Sequence, residues 1–146
     1  MADNSIASYG TLLQVDDGGG VNFTTIAEIN DPGNPSRSAN VVDTTVHNTG
    51  SPWRQRRPTL LTFDDLTLNV NWLATNATHS YVAGVGYLFN NRLQRTYRWV
   101  NNSDAGSDYH QFSAYVTKIQ EMAPIDGVYK STITITPSSA PTWVVT

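Results

Sequence analysis

The chain has 146 residues, no cysteine, and 9 Lys and Arg against 12 Asp and Glu, which gives a formal net charge of −3 at pH 7. This length suits one domain with its own core, and the absence of cysteine excludes disulfides and thiolate metal sites. The acidic balance disfavours a dedicated nucleic-acid binder. Because the sequence shows no secretory signal and no run of about 18 apolar residues, we expect a soluble product without membrane association.

The first third of the chain predicts short strands joined by turns. Residues 1–8 are polar and predict an N-terminal arm. Thr11–Val15 predicts a strand, and Gly18–Gly20 a hairpin turn, since no Lys-Ser/Thr pair or helix follows, as a phosphate-binding loop requires. Phe23–Ile29 predicts a second strand, because its side chains alternate as on a pleated strand. One face of that strand would carry Phe23, Thr25, Ala27 and Ile29.

A long connecting segment, Asp31–Pro58, follows. It is rich in Pro, Gly, Asn and Ser at both ends, with a predicted strand at Val41–His47 between them. Connections of this length are uncommon in compact domains and are usually functional or disordered. Disorder is disfavoured, because the segment contains valines, Trp53 and a basic cluster that ends at Arg57. We expect the segment to fold back on its own domain or to be received by another copy.

The remaining segments predict one helix among strands. Leu66–Trp72 is the clearest strand, since apolar residues alternate with uncharged polar ones. Asn76–Asn90 has the apolar spacing of one helical face, although two glycines weaken that helix. A bulge near Thr117 or Lys118 would bring Ile119 into register. Further strands are predicted at Gln94–Val100, from Tyr109 onward and at Tyr129–Thr136.

The order of these elements predicts the fold class. Six to eight strands, one helix and no regular alternation of strand and helix indicate a mainly β fold, a sandwich or barrel with one flanking helix. The last residues, 138–146, include Trp143 and two valines, which are too apolar to be left in water. We expect this C-terminal tail to dock on another surface.

Patterns typical of catalysis are absent from the sequence. No histidine has a second histidine or an acid at zinc-binding spacing, and we interpret His47, His79 and His110 as surface or strand-edge residues. Asp64 and Asp65 are adjacent and would point to opposite faces of a strand, which disfavours a carboxylate pair acting on one substrate. We therefore predict that the chain is not an enzyme and needs no metal or cofactor.

The aromatic and basic cluster Trp53–Arg57 has two interpretations. Such residues can stack on bases and pair with phosphates, but Trp and Arg are also enriched among the anchors of protein interfaces. We favour an interface between subunits, because the cluster is isolated in an acidic chain. The four tryptophans also suggest a carbohydrate-binding platform, although Trp72 is predicted to be in the core.

A series of short segments carries a resemblance to a known family. In chain order they are Ile26–Ile29 with Pro32 and Gly33, Val42–Thr45 with His47, Trp53 and Arg54 with Pro58, the strand ending at Trp72, the helix, Pro124–Val128, Thr132–Pro137 and Pro141–Trp143. Their order and spacing resemble the major tail tube protein of long, non-contractile-tailed bacteriophages. One difference is that Thr59–Asp65 lacks the glycines expected there.

The resemblance implies a β-sandwich or barrel-like tail tube fold with one flanking α-helix and a long inter-strand loop. Copies would form hexameric rings that stack into a tube whose lumen conducts genomic DNA into the host. The loop, residues 31–58, would reach the neighbouring ring through Pro32, Gly33, Arg37, Val42, Asp43, His47, Trp53, Arg54, Arg56 and Arg57. We further expect Trp143 to dock the C-terminal tail. Candidate lumen acids are Asp64, Asp65, Asp104 and Asp108.

The same resemblance implies the partners and the location. The partners would be other copies of the chain, a tape-measure protein, tail tip and terminator proteins, and double-stranded DNA that passes without specific binding. The protein would be part of the virion and assemble in the host cytoplasm. Two alternatives remain open, namely a tube protein of a contractile or secretion apparatus and a carbohydrate-binding β-sandwich module.

Overall fold

A computed structural model describes residues 11–18, 22–46, 50, 52–73, 75–101 and 108–144. The predicted N-terminal arm, His47 and Asp104 lie outside the described residues. Within them the chain forms ten strands and one short helix. The elements are β1 Leu12–Asp16, β2 Phe23–Thr25, β3 Ile29–Asp31, β4 Arg37–Asp43, β5 Arg56–Phe63, β6 Leu66–Asn71, α1 Val85–Asn90, β7 Gln94–Val100, β8 Tyr109–Met122, β9 Lys130–Pro137 and β10 Thr142–Val144.

Eight of these strands form one antiparallel sheet in the order β2-β1-β7-β8-β9-β6-β3, with β10 paired to the start of β8. The strands at the two ends of this order, β2 and β3, are joined by residues 26–28 alone. Ile26 N–H donates to Leu13 O of β1, and Glu28 O accepts from Asn71 N–H of β6. The connection therefore bridges both ends of the sheet, which curls into a barrel.

This closure corrects the predicted strand over Phe23–Ile29. The strand is interrupted between β2 and β3, where Glu28 adopts a positive φ of 58°. Ile26, predicted to lie on the face opposite Phe23, is buried in the core. The predicted hairpin between the first two strands is confirmed, with Asp16 opposite Phe23.

The barrel interior is filled by the alternating apolar residues of its strands. β6 shows this most clearly, because its apolar positions are buried while Thr67 is exposed. The predicted bulge in β8 is confirmed by a register shift between Val116 and Lys118, after which Ile119 opposes Ile133. The largest fully buried side chains include Tyr97, Phe112, Leu13, Ile26, Leu66, Leu68, Ile133 and Ile135.

Tyr97 is fully buried, and its hydroxyl has no hydrogen-bond partner among the described residues. Burial raises the pKa of Tyr97 above its usual value of 10. The contribution of the un-ionised side chain to the free energy of unfolding is therefore fully present below pH 10 and is lost as pH rises further. Because Tyr97→Phe removes an unpaired buried hydroxyl, we expect the free energy of unfolding to rise by about 1 kcal/mol and alkaline unfolding to move to higher pH. Urea unfolding at neutral and alkaline pH measures both, and a lower stability would contradict this assignment.

The helix is shorter than predicted. Residues 75–84 form tight turns, and α1 covers only Val85–Asn90. Asn76 Oδ1 accepts from the backbone N–H and the hydroxyl of Thr78 at 2.8 and 2.6 Å, which favours a turn over a helix. A side chain at Gly84 would overlap the backbone of Thr78 and His79, so the turn approaches the start of α1 as closely as glycine allows. No helix in the described ranges is long and apolar enough to span a membrane.

His79 is fully buried, which corrects its predicted surface or strand-edge position. Its Nδ1 accepts from Leu73 N–H at 3.2 Å, so the proton is on Nε2, which donates to Ala27 O at 2.7 Å. The ring also stacks on Trp72, with centroids 5.3 Å apart. His79 thus attaches the connection between β2 and β3 to the turns before α1. Trp72 is in the core, as predicted.

Candidate assembly surface

The predicted long loop is a β-hairpin that stands apart from the barrel. β4 and β5 form a separate two-stranded sheet, with Arg37 opposite Phe63 and Asp43 opposite Arg56. We call Arg37–Phe63 the hairpin arm. The first strand begins four residues before the predicted Val41, and β5 was not predicted. Both strands are exposed almost throughout, so neither needs the alternation of apolar and polar residues that marks a strand on a core.

Large apolar side chains of the hairpin arm are exposed to solvent. Leu60 and Leu61 are 71% and 82% exposed, and Trp53, near the far end, is 79% exposed. Val41, Val42 and Val46 are about half exposed. Several large exposed apolar side chains on one element of this kind mark an interaction site.

The hairpin arm is also basic. It carries Arg37, Arg54, Arg56 and Arg57 against one acid, Asp43. Hydrogen bonds from the side chain and backbone of Thr45, together with the charge of Arg56, hold the pKa of Asp43 below its usual value. The contact of Arg54 with Asp43 is a long, exposed ion pair of 3.8 Å, which contributes little stability. Positive charge therefore remains available to a partner.

The root of the hairpin arm is fixed to the barrel. Asp64 N–H donates to Ser36 O at 2.9 Å, and the Ser36 hydroxyl donates to Asp64 Oδ2 at 3.1 Å. Phe63 packs on Phe112, with ring centroids 5.0 Å apart. The Arg37 guanidinium lies 4.7 Å from the Trp143 ring centroid. An open groove of about 730 Å³ separates this root from the chain between β9 and β10.

Comparison with known proteins found likeness in structure. No protein-family model and no curated protein matches the chain. A chain in the tail of an empty gene transfer agent particle with C6 symmetry superposes with a TM-score of 0.78 at 15% identity, covering 97% of this chain and 100% of that one. A chain of the SPP1 tail tube gives 0.67 at 9% identity, covering 97% and 80%. A chain of the sheath-tube complex of the PVC extracellular contractile injection system gives 0.62 at 11%, covering 99% and 94%.

This chain has the tail tube fold. The predicted fold class is confirmed, since the described residues are mainly antiparallel β with one short helix and superpose on these neighbours. The predicted long segment, Asp31–Pro58, overlaps the hairpin arm, which runs from Arg37 to Phe63.

The C-terminal tail docks on the barrel of the same tail tube fold. β10 pairs with the first residues of β8, and Trp143 lies opposite His110. Trp143 remains 53% exposed and contacts the His110 ring edge-on at 5.7 Å. Burial lowers the pKa of His110, and the positive charge of Arg37 acts in the same direction. The tail and the root of the hairpin arm therefore share one surface.

The candidate lumen acids that the structure describes lie at one end of the barrel. Asp64 and Asp65 connect the hairpin arm to β6, and Asp108 immediately precedes β8. Asp64 is bound by Ser36, and Asp65 is exposed. No group of three or more acids or histidines in the described part of the chain is arranged to hold a metal ion.

A second exposed surface, which sequence reasoning missed, lies where β8 turns into β9. Ile125 is fully exposed, and Val128, Tyr129 and Met122 are 56%, 41% and 40% exposed. We call these four residues, with Glu121, the turn patch. The sequence signal was a group of apolar residues on both sides of Asp126-Gly127, and this pattern did not show whether they were buried.

Glu121 organises the turn patch. The hydroxyls of Tyr81 and Tyr129 donate to its two carboxylate oxygens at 2.7 and 2.9 Å. Burial and the Glu121 carboxylate raise the pKa of Tyr81 to about 12, so this tyrosine remains a donor at neutral pH. The two tyrosines hold the carboxylate in one position at the surface.

Gly33, a predicted inter-subunit residue, lies just before the hairpin arm and against β6. Its φ is +83°, and an added Cβ would lie 2.5 Å from Thr67 O and 2.8 Å from Leu66 Cδ1. Because both the backbone angle and the contact oppose a side chain, we expect Gly33→Ala to lower the free energy of unfolding by about 3 kcal/mol, measured by urea denaturation.

Gly50→Ala is a matched control. Gly50 also has a positive φ, +71°, but an added Cβ would meet nothing within 4 Å. We expect it to cost about 1 kcal/mol, from backbone strain alone. Equal losses in the two variants would show that the close approach to Thr67 is unimportant.

Proposed function

We propose that this chain is the structural subunit of a bacteriophage-type tail tube, in which copies form rings that stack around a DNA-conducting lumen. The observation that carries the proposal is the hairpin arm, which projects from a tail tube fold. Its side chains Leu60 and Leu61 are exposed and pack in no core. Burial of such apolar side chains against a second copy would stabilise the assembly. The C6 symmetry of the similar gene transfer agent tail supports six copies in each ring.

Two kinds of contact would build such a tube. A heterologous contact that closes on itself forms a ring, and a second one that does not close extends the assembly as a filament. The hairpin arm projects from the barrel and suits the second kind. The arm is exposed on both faces and would supply part of the ~2,000 Å² or more that obligate contacts commonly bury.

Negative-stain microscopy of purified protein over a range of concentrations tests the proposal. We expect hollow tubes or stacked rings above a threshold concentration. Solitary particles at every concentration would contradict it. We propose that the tube assembles in the host cytoplasm with a tape-measure protein and with tail tip and terminator proteins. The assembled tube would be part of the virion.

We also propose that acids facing the lumen keep DNA mobile. The net charge of −3 would repel phosphates, whereas a basic wall would retain them. Asp65 is the most suitable test among the candidates, because it is exposed and Asp64 is bound by Ser36. Phage particles carrying Asp65→Lys should eject DNA more slowly, while Asp65→Asn should have a smaller effect. Ejection at the parental rate in both variants would exclude a lumen role for Asp65.

A tube of a contractile apparatus is the second candidate, favoured by the similarity to a chain of the PVC sheath-tube complex. Such a tube would carry a sheath. Particles that contain this chain, imaged by electron microscopy, would show a sheath layer around the tube in that case and a bare tube in the first. The carbohydrate-binding alternative depends on Trp53 and Trp143, which lie near opposite ends of the hairpin arm. A glycan array tests it, and we expect no binding.

A further inference from the structure

The hairpin arm and the turn patch lie at opposite ends of the barrel. The register of β6 and β9 places Leu66 opposite Ile135 and Asn71 opposite Lys130. The hairpin arm enters β6 just before Leu66, whereas the turn patch adjoins Lys130. They are thus separated by the six residues of β6, or about 20 Å at ~3.3 Å per residue. A contact between them must join two copies head to tail.

The turn patch offers an apolar surface held in a defined shape. Ile125 and Val128 project from the turn, while Trp72 N–H donates to Tyr129 O at 2.9 Å and Gly127 N–H donates to Pro124 O. The turn is therefore anchored to the end of β6. An ordered apolar surface of this kind loses little conformational entropy on binding.

The two surfaces are complementary in charge. The hairpin arm has four arginines and one acid, whereas the exposed acids Glu28, Glu121 and Asp126 lie at the end of the barrel that carries the turn patch, together with the cations Arg92 and Lys130. Each Glu121 oxygen accepts one tyrosine hydroxyl, and a carboxylate oxygen can accept a second hydrogen bond. An arginine can bind such a carboxylate through two parallel hydrogen bonds.

We propose that the hairpin arm of one copy docks on the turn patch of a second copy in the next ring, with its exposed apolar side chains against Ile125 and Val128 and an arginine on Glu121. This contact rests on the proposed tube function and specifies its receiving surface. It repeats without closing, because each copy has one arm and one patch at opposite ends.

Cysteine cross-linking tests the contact directly, because the chain has no cysteine of its own. We expect Ile125→Cys combined with Trp53→Cys, or with Leu60→Cys, to give a covalent ladder of copies on mild oxidation of tubes. Ala140→Cys with the same arm cysteine is the matched control, since Ala140 is exposed at the end of the barrel that carries the hairpin arm. A ladder from the Ala140 pair, or none from either Ile125 pair in assembled tubes, would overturn the proposal.

Substitution of Ile125 provides an independent test. Ile125 is fully exposed in the subunit, so Ile125→Glu should leave its thermal unfolding unchanged and raise the concentration needed for tubes at least tenfold. Ile125→Val keeps an apolar side chain and should assemble like the parent. Normal tubes from Ile125→Glu would refute the docking surface, whereas failure of the parent to form tubes would refute the proposed function.

Discussion

A chain in which Ser38–Thr62 is replaced by Asn-Gly is expected to remain a folded monomer and to form no tubes. Arg37 and Phe63 are directly opposite each other at the root of the hairpin arm, and Asn-Gly is the preferred two-residue hairpin loop. Arg37 keeps its contact with Trp143, and Phe63 keeps its contact with Phe112. Since the described residues within the removed range are exposed, the melting temperature should change by no more than about 5 °C.

Light scattering and negative-stain microscopy at matched concentrations measure the loss of assembly. Leu60→Ser combined with Leu61→Ser keeps the length of the hairpin arm and removes its most exposed aliphatic side chains. We expect this variant to assemble as poorly as the shortened chain, because apolar burial supplies most of the association energy. Tubes of normal length from the shortened chain would mean that the arm has no part in assembly.

His79→Ala is expected to produce the largest loss of stability among the single substitutions considered, about 3 to 5 kcal/mol. The change leaves Leu73 N–H and Ala27 O without their partner. It also opens a cavity beside Trp72, on which the imidazole stacks. Because Ala27 lies in the connection between the two ends of the barrel sheet, closure of the barrel should weaken. Urea denaturation monitored by tryptophan fluorescence measures the effect.

His79→Gln separates the hydrogen bonds from the packing. Its amide can donate to Ala27 O, but it no longer accepts from Leu73 N–H with the geometry of the imidazole. An intermediate loss of about 2 kcal/mol is expected. If glutamine and alanine cost the same, the bond to Ala27 would contribute little, and the stacking on Trp72 would account for the stability.

Sequence reasoning succeeded where a strand separates core from solvent. Leu66–Asn71 was placed correctly because its buried and exposed positions alternate, and the parity of Ile119 revealed the bulge in β8. The same reasoning failed for β5, which is exposed almost throughout and carries no alternation. It also failed for residues 75–84, where helical spacing of apolar residues coexists with a turn that Gly84 permits.

The candidate site was predictable in part. Composition alone distinguished the hairpin arm, because valines, Trp53 and arginines are unusual in a loop. The turn patch was not found, since the exposure of Ile125 and the meeting of Tyr81 and Tyr129 at Glu121 depend on residues distant in sequence. That the two surfaces lie at opposite ends follows only from strand order and register, which alternation does not specify.

The short connection through Ile26–Glu28 determines which strand edges a free subunit exposes. With its two terminal strands bridged by the chain itself, the barrel gives incoming chains little backbone on which to add strands and nucleate amyloid-like deposits. Among the described strands, the free edges of a subunit are then mainly those of β4 and β5 in the hairpin arm. Assembly that covers the hairpin arm would therefore remove the strand edges that a free subunit still exposes.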